Sequence, residues 1–304
     1  MKIAVTGAFG YSGQYIARKL LASNHQVITL TNTVLQNDPF DGAVSAFPLV
    51  FDTPDQLSRS LEGCDVLINT YWVRFNHRNF THETAVQNTN KLFQAAKAAG
   101  IGRIIHTSIA NPNIDSPFEY YRGKARMEAM LVETGVPHTI LRPTVIFGPN
   151  DILINNIAWT LRRFPVMGMF GDGQYRIRPI HVLDFAQAAV DAAIDVVTAT
   201  GNTTIDTVGP EDYTYRELVR TIGKIIGCTR PMVRVPIFFG LATAKLIGWW
   251  HRDVFLTREE IGGLMAGLLT TDTPATGTIK LSDWLQENAQ TVGKHYASEL
   301  ARRR

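Results

Sequence analysis

Cysteine is nearly absent from this sequence. Only Cys64 and Cys228 occur among 304 residues, and they form no CxxC pair, so neither a disulfide framework nor a thiolate metal site is indicated. The eight histidines show no HExxH or comparable ligand spacing, so we expect no metal site. The opening residues, MKIAVTGAFG, run directly into a strand without an apolar signal segment. We therefore expect a cytoplasmic protein.

The sequence also has little net charge and no long apolar run. Its net charge is +3, which the three arginines at positions 302–304 account for, so the clustered basic face of a nucleic-acid-binding protein is not expected. The most apolar stretch, 235–250, contains Pro236 and Lys245 and is shorter than the roughly 20 residues of a membrane-spanning helix. We interpret it as a helix over a substrate pocket. Attachment to a membrane surface is the alternative.

Short β-branched runs alternate with longer helical patterns through the first two thirds of the chain. This alternation predicts βαβ units, and hence a doubly wound parallel sheet of the Rossmann type. The predicted strands of the sheet are 2–5, 26–30, 46–51, 65–69, 103–107 and 139–146. We expect this α/β domain to span 1–202, with an insertion at about 148–176. Residues 203–304 then form a smaller α+β lobe that covers the substrate.

A glycine-rich turn follows the first predicted strand, in residues 6–13, TGAFGYSG. Gly7 permits the tight turn, Gly10 lets a pyrophosphate approach the backbone, and Gly13 lets the helix lie close to the sheet. Free N–H groups and the dipole at the helix start attract the anion. The strand before the turn and the helix after it provide the context that a dinucleotide-binding motif requires. A glycine-rich turn without a ligand is the alternative.

The glycine spacing is GxxGxxG, and three later segments, YYRGKARME, LRPTVIFGPND and RPIHVLDFAQA, accompany it. With these motifs the sequence resembles the extended and atypical short-chain dehydrogenases/reductases over nearly its whole length. That group includes nucleotide-sugar epimerases and dehydratases, NmrA-type regulators, and the nucleotide-binding accessory subunit of respiratory complex I. The resemblance implies NAD(P) as the cofactor.

The end of the second strand bears on the choice between NAD and NADP. An acidic residue there would bind the ribose 2′-hydroxyl and an arginine would accept a 2′-phosphate, but the sequence reads Leu-Thr-Asn-Thr. The missing acid weakly favours NADP or tolerance of both. We expect Asn32 to lie nearest this ribose. The resemblance implies that Asp52 contacts the adenine, and a solvated turn aspartate is an equal alternative.

Further cofactor contacts are expected where other strands end. Residues 69–71 end the fourth strand, at the edge where open α/β sheets bind ligands, although strand-end packing explains them equally. The resemblance places residues 143–145 beside the nicotinamide carboxamide, and we expect Arg142 to form a structural ion pair. The predicted cofactor-binding residues are Gly7, Phe9, Gly10, Tyr11, Ser12, Gly13, Asn32, Asp52, Asn69, Thr70, Tyr71, Lys124, Pro143, Thr144 and Val145.

Tyr120 and Lys124 are candidates for acid–base chemistry. Ser116 and Glu119, with a proline between them, predict a helix that begins with a capping box. On that helix Lys124 lies one turn after Tyr120, on the same face. A phenol has a pKa near 10, so proton transfer near neutrality requires a positive charge beside it. YxxxK is also a common spacing of a solvated pair.

The resemblance adds Ser108 to this pair. It implies that Ser108 hydrogen-bonds the reacting oxygen, that Tyr120 transfers its proton, and that Lys124 also holds the nicotinamide ribose. Tyr121 competes for the tyrosine role, and a structural or cofactor-only role for the set is the alternative. A basic aromatic stretch with Trp72 and Arg74 follows the fourth strand. It fits either an acidic substrate or a solvated loop.

Two functions follow from these residues. The first is an NAD(P)-dependent oxidoreductase, of reductase or epimerase/dehydratase type, that acts on a hydroxyl or carbonyl of a small substrate such as a sugar nucleotide. The second is a non-catalytic NAD(P)-binding protein with a regulatory or complex-assembly role. A homodimer is the default oligomer for a soluble protein of this kind.

Overall fold

The computed structural model describes residues 1–32, 38–194 and 201–303. The chain divides into two compact units: Met1–Pro143 with Phe185–Asp206, and Thr144–Asp184 with Thr207–Arg304. The strands are β1 Lys2–Thr6, β2 Gln26–Leu30, β3 Val44–Phe47, β4 Val66–Asn69, β5 Arg103–Thr107, β6 His138–Pro143, β7 Val145–Phe147, β8 Met167–Met169, β9 Arg176–Ile177, β10 Pro179–His181, β11 Thr203–Thr207, β12 Tyr213–Thr214 and β13 Met232–Arg234. The α-helices are α1 Tyr11–Ala22, α2 Pro54–Leu61, α3 His82–Ala98, α4 Glu119–Thr134, α5 Leu153–Arg163, α6 Val182–Ile194, α7 Tyr215–Ile225, α8 Ile237–His251, α9 Arg258–Met265 and α10 Leu281–Glu287.

The first unit is built on a seven-stranded sheet in the order β11-β6-β5-β4-β1-β2-β3. The six strands from β6 to β3 pair in parallel. Strand residues such as Ile28, Leu67 and Ile104 pack in one apolar cluster with Leu92 and Phe93 of α3. Strands that are apolar on both faces are typical of a parallel sheet covered by helices. The predicted Rossmann-type sheet is therefore confirmed.

Prolines set two strand ends that the sequence patterns placed differently. The third strand was predicted at 46–51. In the structure, β3 spans Val44–Phe47 and ends before Pro48. The predicted strand 139–146 is two strands, because β6 ends at Pro143 and β7 pairs with β10 outside the main sheet. Proline has no N–H to donate, so a ladder stops where it occurs. Strands β2 and β5 have the predicted bounds.

The second unit combines short strand pairs with helices around its own apolar core. Phe147, Ile157, Leu218 and Trp284 belong to this core. Helices α7 and α9 each begin with a capping box, which satisfies backbone N–H groups that a helix start leaves open. In the described part of the chain, no helix combines the length and the apolar character needed to cross a bilayer.

Candidate nucleotide-binding site

The glycine turn brings the start of α1 close to the end of β1. Gly7 adopts φ +68°, and the N–H of Gly10 donates to the Gly7 carbonyl over 2.8 Å. A Cβ on Gly13 would lie 2.1 Å from the Gly7 carbonyl oxygen, so α1 begins directly against the turn. The first turn of α1 carries no acidic side chain that would repel a phosphate. The amide groups at the start of α1 thus fit an anionic ligand.

The predicted contacts Phe9, Tyr11 and Ser12 lie around this turn. Each of the three is half-buried. The Phe9 ring packs against Phe40 with the centroids 5.9 Å apart, and Tyr11 and Ser12 are the first residues of α1. These three residues therefore lie at the turn and are partly accessible to a ligand.

Gly10→Val is expected to weaken NAD(P)H binding by at least about tenfold, equivalent to about 1.4 kcal/mol. Gly10 has φ −80° and ψ 176°, which valine adopts readily, and an added Cβ would lie 3.1 Å from the Gly7 carbonyl oxygen. The turn must therefore shift slightly, while the added methyl groups fill the phosphate approach. Fluorescence titration with NADH and NADPH measures the effect. Gly201→Val is the control, because among the described residues nothing lies within 4 Å of a Cβ built there. Equal affinities for the two variants would contradict this placement of the phosphates.

A hydrogen-bond network lies next to the glycine turn, at the ends of β1 and β4. The Thr6 hydroxyl donates to Asn69 Oδ1 over 2.8 Å and accepts from the Thr70 N–H over 2.9 Å. The Asn69 amide nitrogen lies 3.1 Å from His106 Nδ1. Burial, together with the charges of Lys124 and His138, holds the pKa of His106 well below its usual value, so a neutral His106 accepts this bond. Asn69 has no exposed surface and acts by positioning Thr70 and Tyr71, which are half-buried.

The residues predicted at the adenosine end are engaged with the protein itself. The Asn32 side chain donates to the Leu49 carbonyl over 2.7 Å and accepts the Leu49 N–H over 3.0 Å. Asp52 is fully exposed and pairs with Lys91 at 3.4 Å. Their predicted contacts with ribose and adenine stay predictions.

Helix α4 carries the Tyr120–Lys124 pair. The predicted capping box is wrong: α4 begins at Glu119 with Phe118 as its N-cap, because the Ser116 hydroxyl accepts the Phe118 N–H within the preceding turn. The predicted spacing is confirmed all the same, since both residues lie within α4 and are one turn apart.

Lys124 is directed into the first unit. Its side chain is 2% exposed, and Nζ donates to the Thr107 carbonyl over 2.8 Å. The ammonium also lies 4.5 Å from the centroid of the Trp72 ring, a cation–π distance. Burial lowers the pKa of Lys124 to about 7, although the nearby Glu128 opposes the shift. At neutral pH this lysine is therefore close to half protonated.

An aromatic cluster of Trp72, His82 and Tyr120 surrounds the phenol. The Trp72 and His82 rings stack at 5.4 Å and 5°. Tyr120 meets both edge-on, with centroids 5.4 Å from Trp72 and 5.6 Å from His82. Trp72 was expected only as part of a basic aromatic stretch. His82 was not expected at all, because its position at the start of α3 gave no signal in the sequence. The two rings fix the orientation of the Tyr120 ring.

Ser108 does not face an open site. It is buried, and its hydroxyl donates to Glu128 Oε1 over 2.5 Å. Arg142 binds both oxygens of the same carboxylate, with Nε 2.9 Å from Oε1. This Ser108–Glu128–Arg142 group confirms the predicted structural ion pair of Arg142. Glu128 itself was missed, although its place four residues after Lys124 on one helix face was a usable signal.

The remaining predicted residues belong to different units. Pro143 ends β6 in the first unit, and its carbonyl accepts the Ala110 N–H over 2.8 Å. Thr144 and Val145 begin the second unit, where the Thr144 hydroxyl donates to the Arg178 carbonyl. Their contact with a nicotinamide carboxamide stays a prediction.

Comparisons with known proteins support NAD(P) binding by the part of the chain that contains the glycine turn. Residues 7–151 match the model of a family described as NAD(P)H-binding. A mitochondrial protein of Arabidopsis thaliana, NADH dehydrogenase [ubiquinone] 1 alpha subcomplex subunit 9, is 26% identical over 257 residues, or 79% of this chain. The alignment spans only 61% of that relative's length.

Solved structures share the fold at lower identity. A nucleoside-diphosphate-sugar epimerase from Staphylococcus aureus superposes with a TM-score of 0.70, covering 99% of this chain and 98% of the other at 17% identity. UDP-glucose 4-epimerase from Brucella ovis, solved in complex with NAD, gives 0.64, covering 77% and 85% at 19% identity. Residues 7–151 thus resemble the NAD(P)H-binding family, and the chain shares the fold of the nucleotide-sugar epimerases.

Proposed function

We propose that this chain is a non-catalytic NAD(P)-binding protein, in which the dinucleotide is a bound component and not a consumed reactant. One observation carries the proposal. The Ser108 hydroxyl and the Lys124 ammonium, which would have to face the reacting atoms and the ribose, both bond to groups inside the first unit, namely Glu128 and the Thr107 carbonyl. A bonded, buried donor is costly to redirect.

The glycine turn is the part of the site that we assign to the cofactor. The amides at the start of α1 would bind the pyrophosphate, and Thr70 and Tyr71 would border it at the end of β4. We propose that NADP(H) binds at least as well as NAD(H), because Thr31 and Asn32 bring no carboxylate to the end of β2 that would repel a 2′-phosphate. The name of the Arabidopsis relative, a subunit of an NADH dehydrogenase, supports a role within an assembly.

An oxidoreductase or epimerase-type enzyme is the second candidate. The position of Tyr120 one turn before Lys124 favours it, as does the fold shared with epimerases. The nicotinamide would supply hydride chemistry when bound, and the Tyr120 phenol would hold the proton of a substrate hydroxyl. A lysine with a pKa of about 7 would give that phenol only part of the positive charge it needs at neutral pH.

Tyr120→Phe tests the two candidates against each other. For a binding protein we expect NADH and NADPH affinities within about twofold of the wild type, or about 0.4 kcal/mol, because the proposal gives the Tyr120 hydroxyl no part in holding the dinucleotide. We also expect no change in nicotinamide absorbance with sugar nucleotides, simple ketones or alcohols. Tyr121→Phe is the matched control on the same helix. Turnover that Tyr120→Phe abolishes and Tyr121→Phe retains would overturn the proposal in favour of the enzyme.

A further inference from the structure

Helix α8 presents its large apolar side chains to solvent and its small ones to the protein. Phe238, Leu246, Trp249 and Trp250 are 76%, 67%, 77% and 79% exposed. Their spacing of i, i+8, i+11 and i+12 places all four on one face of a helix. Phe239, 62% exposed, borders the same face. A helix that only completes a core has the opposite arrangement.

The inward face of α8 is built for close packing. Gly240, Ala244 and Gly248 recur every four residues along it. A Cβ on Gly240 would lie 2.2 Å from the Phe170 ring, and one on Gly248 would lie 2.5 Å from the Asp253 carbonyl oxygen. The helix is therefore seated directly on the second unit and cannot rotate its aromatic face inward.

The end of α8 is fixed by a second set of contacts. The His251 ring packs 4.4 Å from Tyr296 and 5.2 Å from Trp159. Asp253, the first acidic residue after the helix, accepts from the Tyr296 hydroxyl over 2.8 Å and from two backbone N–H groups. Its charge is thus turned toward the protein, away from the exposed aromatic face.

The chain segment that contains α8 carries charge of one sign. Between positions 218 and 252 the sequence contains no aspartate or glutamate. Six cations in this stretch are all exposed: Arg220, Lys224, Arg230, Arg234, Lys245 and Arg252. Lys245 lies within the helix, and Arg234 and Arg252 flank its two ends. An apolar aromatic face bordered by cations fits a surface that is apolar beneath and anionic at its rim.

We infer that α8 docks this protein on an anionic lipid bilayer, lying in the interface plane without crossing it. Its 15 residues give a length of about 22 Å, too short to span the hydrocarbon core but suited to burying one face at the headgroup level. Tryptophan is the side chain enriched at that depth, and the Lys245 stem can lie along the apolar face while its ammonium reaches the phosphates.

Flotation of the full chain with vesicles tests this inference. We expect binding to phosphatidylcholine vesicles that contain phosphatidylglycerol, and weaker binding to phosphatidylcholine alone. The triple variant Phe238→Ser, Trp249→Ser, Trp250→Ser should reduce partitioning at least about tenfold. Lys245→Gln should reduce it about fivefold. Lipids with brominated acyl chains should quench wild-type tryptophan fluorescence, because Trp249 and Trp250 enter the interface.

A matched control removes apolar residues exposed elsewhere. Ile114→Ser, Val132→Ser, Val166→Ser changes side chains that are 54%, 55% and 47% exposed and should leave partitioning within about twofold of the wild type. Circular dichroism should show that both triple variants are folded. The inference is overturned if the wild type does not bind anionic vesicles, or if the α8 variant binds them as strongly as the wild type does. Light scattering gives a further test. The inference is also overturned if the wild type and the control variant are dimers and the α8 variant is a monomer, since a second copy would then cover the helix.

Discussion

Glu128→Ala is expected to destabilise the protein by about 3 kcal/mol, the lower end of the cost of breaking a buried ion pair. The substitution leaves Arg142 without its bidentate partner and the buried Ser108 hydroxyl without its acceptor. We expect a loss of stability at the lower end of this range because the Arg142 side chain is 31% exposed and can recover some hydration. Urea unfolding, followed by circular dichroism, measures the change.

The exposed pair between Arg126 and Glu83 is the control for this prediction. It has similar geometry, with N and O 2.6 Å apart, but its side chains are 37% and 54% exposed. Glu83→Ala should therefore cost less than about 1 kcal/mol. The double variant Glu128→Met, Arg142→Met should recover part of the loss, since no unpaired charge is left buried. Similar losses for Glu128→Ala and Glu83→Ala would show that burial of Glu128 contributes nothing.

The free energy of unfolding should rise with pH above 7 because of Lys124. The folded-state pKa of Lys124 is lowered to about 7 from 10.5, so between these values the unfolded chain holds a proton that the folded chain has released. Unfolding then takes up a proton, and stability increases with pH at up to about 1.4 kcal/mol per unit. The cost of burying the ammonium is fully present below pH 7 and is relieved as pH approaches 10.5.

Lys124→Met isolates this contribution. Between about pH 7 and about pH 9.5 the wild type should gain about 3 kcal/mol relative to the variant, measured from urea midpoints at each pH. Groups that titrate in both proteins cancel in the difference. Lys91→Met, which removes an exposed lysine, should follow the wild-type slope. A slope for Lys124→Met equal to that of the wild type would contradict the buried ammonium.

Sequence patterns predicted the parts of the fold that depend on neighbouring residues. The strand bounds of β2 and β5 and the spacing of Tyr120 and Lys124 are local properties of β-branched runs and helical periodicity. The glycine turn was also predictable from the sequence, because Gly7, Gly10 and Gly13 each meet a steric requirement of the backbone.

Sequence patterns could not predict contacts between residues that are far apart in the chain. Ser108 was expected to face a substrate, and only the packing of α4 against β5 and β6 brings Glu128 to its hydroxyl. The stacking of Trp72 on His82 joins residues from a loop and a helix start. The apolar run 235–250 predicted a helix, yet which face is exposed depends on what Gly240 and Gly248 pack against.

Strand β11 has a consequence for how the protein is made. It lies beside β6 in the main sheet, although β6 ends at Pro143 and β11 begins only at Thr203. A ribosome must therefore synthesise the whole intervening segment before this edge can be covered. Until then the nascent chain carries an open β6 edge, which can pair with other chains. Such non-local pairing slows folding, so chains that stall before Thr203 should be prone to aggregation.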